Sequence, residues 1–121
     1  MTAPNIEIQN YFRAEISKCI AAEKNLMADK RNDEAVMIRI RKNVLDIMNT
    51  VLVASIKRGV TEQEIQNIFL AKATEIAGHW YDSLRKADAL GDFQRIQVER
   101  VKISAYQEAI AAANKIWSSC S

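Results

Sequence analysis

Few side chains in this sequence have chemical reach. The single histidine, His79, stands four residues after Glu75. Residues four apart are neighbours on a helix, so this pair has the spacing to grip a metal ion or relay a proton. A di-iron bundle needs Glu-x-x-His on two helices, which one histidine cannot supply, and the plainer expectation is a surface contact on a helix flank. The thiols are Cys19 and Cys120. A nucleophile and its base would require one of them beside His79, and nothing in the spacing puts them together. Nor is a disulfide expected. If the first and last helices are antiparallel neighbours, Cys19 lies roughly 20 Å along the bundle from Cys120, at 1.5 Å per residue. A disulfide needs Cα atoms within about 7 Å. There is no phosphate loop, dinucleotide fingerprint, zinc-type cysteine spacing or Gly-x-Ser-x-Gly elbow. The expectation is a protein without catalytic residues, metal or cofactor.

Two charged features remain. Glu23 falls in the middle of an apolar stripe, between Cys19 and the Leu26-Met27 pair, which makes it a candidate buried carboxylate. Such a group must be paired, raised in pKa, or carried to solvent on its stem. Arg41 or Lys72 would be the bordering cation. Arg39, Arg41 and Lys42 are the densest basic cluster and the only candidates for phosphate contact. They fan across a polar face with no aromatic residue interleaved, which suits a solvated face better than a nucleic-acid platform. The net charge of +2, with signs interspersed, points the same way.

The elements that carry these residues read as helices. The only proline among 121 residues is Pro4, and Gly59, Gly78 and Gly91 are the only glycines. A chain so poor in turn residues cannot make the many tight turns of a β-sandwich or barrel. Hydrophobic content of 49% and charged content of 26% are ordinary for a globular domain. The longest apolar run, about 44–56, is too short and polar to span a bilayer. No secretory signal is visible at the N-terminus, so a cytoplasmic location is expected.

Boundary signals divide residues 1–121, read as one domain, into helices over about 4–30, 33–58, 62–90 and 92–117. Pro4 suits a first turn. Asn32 is expected to cap the second helix, and Gly59 to close it in a left-handed conformation. Thr61 to Glu64 has capping-box spacing, with Val60 as its staple. Gly91 ends the third helix and Asp92 caps the fourth. Short connections between long helices predict an all-α, antiparallel up-down four-helix bundle. A break near Gly78, or a three-helix arrangement, is the alternative.

A turn of 100° per residue gives the buried faces. Ile8, Phe12, Ile16, Cys19, Leu26 and Met27 form that of the first helix. The second helix gives Val36, Met37, Ile40, Val44, Ile47, Met48 and Val51. On the third they are Ile65, Phe69, Ala73, Ile76, Ala77, Trp80 and Leu84. The fourth helix has two stripes. Ile96, Ile103, Ile110 and Trp117 recur every seven residues with Tyr106 alongside, and Val98, Val101, Ala105, Ala109, Ala112 and Ile116 form the second. That is more apolar surface than one core face needs. Either the helix is central, or one stripe is an interface. Ile96, Ile103, Tyr106, Ile110 and Trp117 are the expected interface of a homodimer, because they resemble a coiled-coil seam. The function expected is that of a non-enzymatic, self-associating protein-interaction module, such as an adaptor, inhibitor or immunity-type protein, with an unidentified protein partner and no membrane contact. The alternatives are a nucleic-acid-associated regulator using the basic residues of the second helix, and a small-ligand or metal sensor.

Overall fold

Pro4 occupies the first turn of α1 (Pro4–Ala28), where a missing N–H costs no intrahelical bond. The computed structural model describes residues 3–119, and α2 (Asn32–Arg58), α3 (Glu62–Leu90) and α4 (Phe93–Ser119) follow. No strand occurs among the described residues. α3 passes through Gly78 unbroken, and α4 runs two residues past its expected end at 117, to Ser119.

Two of the three connections share one backbone design. After α3, Gly91 is left-handed (φ 65°); its N–H donates to the Asp88 carbonyl, and the Asp92 N–H donates to that of Ala87. After α1, Lys30 takes the same place (φ 60°), with the Lys30 N–H on Met27 and the Arg31 N–H on Leu26. Both are Schellman turns, one built on glycine and one on a residue with a Cβ. Asp92 then caps α4 by accepting the Arg95 N–H at 3.2 Å. Asn32 does not cap α2. The turn ends a residue earlier than expected, Asn32 is already helical, and the preceding Arg31 makes no side-chain cap bond.

The α2–α3 connection differs from expectation at two residues. Thr61 Oγ1 accepts the Glu64 N–H at 3.1 Å, and the Glu64 carboxylate reaches back to the Val60 N–H at 3.0 Å. The Val60 side chain is 89% exposed and staples nothing. Gly59 is extended (φ −87°, ψ 142°), not left-handed. Glycine is needed there for closeness, since a Cβ would meet the Ile65 backbone nitrogen at 2.8 Å and its Cγ1 at 2.7 Å.

Cross-helix contacts set the directions. Glu15 and Glu23 of α1 meet Arg41 and Arg39 of α2, in opposite order along the two helices. Phe69 and Trp80 of α3 meet Trp117 and Tyr106 of α4, again reversed. Phe12 touches Phe69 near the starts of α1 and α3. The α1–α2 and α3–α4 turns therefore share one end of a four-helix bundle.

α2 and α4 each pack on the other three helices. Ala105, Ala109 and Ala113 are buried on α4 and let it approach closely. Ile96, Ile103 and Trp117 are buried in the same chain, and Tyr106 and Ile110 pack against the core. The expected seam is thus covered from within: α4 packs on all three other helices, as α2 does, and three of the five residues are core rather than exposed interface. The core face of α2 keeps the expected Val44, Met48 and Val51 but is turned toward two leucines. Leu45 and Leu52 are fully buried, whereas Ile47 and Val36 are 36% and 41% exposed. Met27 likewise points outward on α1. No helix is long and apolar enough to cross a membrane.

Candidate functional site

The basic residues of α2 are held by carboxylates of the same chain. Arg39 reaches Glu23 Oε2 with Nη2 at 2.8 Å and Nε at 2.9 Å. Glu23 is half-buried, and its partner is neither expected cation. Arg39 sits on the edge of α2 facing α1, while Lys72 pairs with Glu75 at 3.6 Å. Arg41 bonds Glu108 of α4 and lies 3.6 Å from Glu15 of α1, tying three helices together. Burial lowers the guanidinium pKa, but the Glu108 bond and charge outweigh it and the net shift is upward. Burial pushes the Cys19 thiol above its ordinary value, partly offset by Arg41. Tyr11 is raised for the same first reason, with Glu15 adding to it. Lys42 makes no ion pair among the described residues. Arg39 and Arg41 are thus committed to carboxylates of their own chain, which leaves Lys42 as the member of the cluster unpaired among the described residues.

The Glu75–His79 spacing is not used as a pair, since Glu75 turns to Lys72 and His79 is exposed. No group of three or more His, Cys, Asp or Glu among the described residues is placed to hold a metal ion. Cys19 is buried, and Cys120 lies outside the described residues.

The buried carboxylate is Glu99. It is 3% exposed, Oε1 lies 3.2 Å from Lys102 Nζ, and Oε2 is buried without a hydrogen-bond partner. An open hollow on the first half of α4 is lined by Glu99 with Asp92, Arg95, Val98 and Lys102. The spacing held the signal, because Glu99 lies three residues from Ile96 and four from Ile103, in the centre of that stripe.

The end holding this hollow also carries exposed apolar side chains. Leu90 is 82% and Phe93 80% exposed, on either side of Gly91-Asp92. Met27 and Val36, flanking the α1–α2 turn, are exposed at the same end. Neither Leu90 nor Phe93 serves the local structure. The Schellman bonds use backbone of Ala87, Asp88, Gly91 and Asp92, and the cap of α4 uses the Asp92 side chain. Sequence reasoning placed both residues at helix ends and missed their exposure, since a wheel says little about the last and first residues of two helices.

No family model matches this chain, and neither does any curated protein or solved structure.

Proposed function

We propose that this chain is a cytoplasmic, non-enzymatic protein-interaction module of the adaptor or inhibitor kind, which presents the α1–α2/α3–α4 end of its bundle to a protein partner. The observation that carries the reading is the exposure of Leu90 and Phe93 at a turn that does not need them. Fully burying a leucine or phenylalanine side chain is worth about 1.5–3 kcal/mol, so the two together can anchor a contact. Leu90 and Phe93 project from the tightly bonded Gly91 turn, which limits the ordering cost of binding. Met27 extends the apolar surface, and the exposed charges of Asp29 and Arg31 supply a polar rim.

The test is site-specific crosslinking in the producing cells, with a photoreactive residue at position 93 and, as a control, at the exposed Lys18 on the flank of α1. A discrete crosslinked species from position 93 and none from position 18 supports the reading. Equal yields from both positions, or none from position 93, contradicts it.

A further inference from the structure

The outward face of α2 carries Val36, Ile40, Ile47 and Ala54 at spacings of four, seven and seven. At 100° per residue these fall on one line within about 40°. Val36, Ile47 and Ala54 are exposed and Ile40 is half-buried. The two halves of the line differ in shape. Val36 and Ile40 are branched side chains on the first half of the helix. Beside the second half, α2 and α3 leave an open groove of about 410 Å³, walled by Ala54 and Arg58 on one side and Ile68 and Lys72 on the other. The charges differ too, with Asp33 at the start of the helix and Arg58 at its end. Neither makes an ion pair among the described residues.

We propose that this face pairs with α2 of a second copy of the chain, antiparallel, about a two-fold axis at Ile47. In that arrangement residues equidistant from Ile47 face each other. Ile40 of one copy meets Ala54 of the other and enters the groove beside it, and Val36 covers the stem of Arg58. Asp33 comes within about one helical turn of the other copy's Arg58, and both project to the same side of the seam. A two-fold contact uses every complementary pair twice, so a surface with its ridge and hollow, and its acid and base, at opposite ends of one helix is self-complementary. Opposed axes also bring unlike helix ends together. A second copy is therefore the occupant this face fits. The surface is distinct from the Leu90–Phe93 end and does not rest on it, so either proposal can fail alone.

The test is the solution mass of the full chain by sedimentation equilibrium over a concentration series, with circular dichroism confirming helicity. The wild type is expected to approach twice the chain mass of 13.7 kDa with rising concentration. Ile47→Asp, at an exposed position, should keep the helicity and remain a monomer. Asp33→Arg and Arg58→Asp should each raise the dimer dissociation constant by about tenfold, a 1.4 kcal/mol change. The double variant Asp33→Arg/Arg58→Asp should restore dimerisation by exchanging the charges across both pairs. A wild type that stays monomeric overturns the proposal. So does a dimer untouched by Ile47→Asp, or one abolished by Phe93→Ser instead; that last result moves self-association to the end of the bundle.

Discussion

Replacing Glu99 with methionine should make the protein more stable. The carboxylate sits at 3% exposure in the middle of the stripe formed by Ile96 and Ile103, with one oxygen near Lys102 and the other without a donor. An unsatisfied buried acceptor costs about 1–3 kcal/mol. Removing one partner of a buried ion pair destabilises where the other charge is left buried, so the fate of Lys102 matters. Methionine has nearly the length of glutamate and similar helix propensity. The lost pair with Lys102 is an i,i+3 contact worth about 0.2–0.5 kcal/mol, and Lys102, 30% exposed at its side chain, can turn to water. The balance favours the variant by about 1–2 kcal/mol. For a domain of this size that raises the melting temperature by roughly 3–10 °C. Urea unfolding of wild type and Glu99→Met, compared at equal m-value, measures it. A loss of 1 kcal/mol or more would mean instead that Oε2 has a donor in solution and that the carboxylate stabilises the fold.

Gly59→Ala should destabilise by about 1–3 kcal/mol, because the new methyl meets the Ile65 backbone; a midpoint shift in urea reads it. Lys30→Gly should stabilise by about 0.5–1 kcal/mol, since it removes a Cβ from a left-handed position; thermal melting checks the sign. Cys19 and Tyr11 both have folded-state pKa values raised above their ordinary 9.0 and 10.0. Their contribution to stability is complete below those values and is lost as pH rises through the folded ones, so stability should fall on the alkaline side. Cys19→Val should make that fall shallower, as read by urea midpoints from neutral pH upward.

The legible parts of this fold were those written in local backbone chemistry. Pro4, the Thr61–Glu64 cap, Gly91 and Asp92 mark helix ends through bonds made within a few residues, and each acts where its type suggests. What depends on tertiary context was harder to read. Gly59 looked like a left-handed terminator, but its role is set by the approach of Ile65, six residues on and in the next helix. Two apolar stripes on α4 suggested an interface because a wheel cannot show that α4, like α2, packs against all three other helices. The face of α2 was partly misjudged for the same reason. Its outward Val36, Ile40 and Ile47 are as apolar as its inward Leu45 and Leu52, and only packing distinguishes the two. Glu23 drew attention for lying within a stripe and proved to be paired at the surface edge, while Glu99, by the same criterion, is the carboxylate that is buried.

The interaction reading is tested most directly by the hydrodynamic size of the protein in clarified extract of its own cells, comparing wild type with Leu90→Ser/Phe93→Ser. Both positions are more than three-quarters exposed, so the variant should melt within about 0.5 kcal/mol of wild type. Wild type is predicted to elute larger than the purified protein, and the variant at the purified size. If the two elute alike, Leu90 and Phe93 anchor no partner at this end of the bundle.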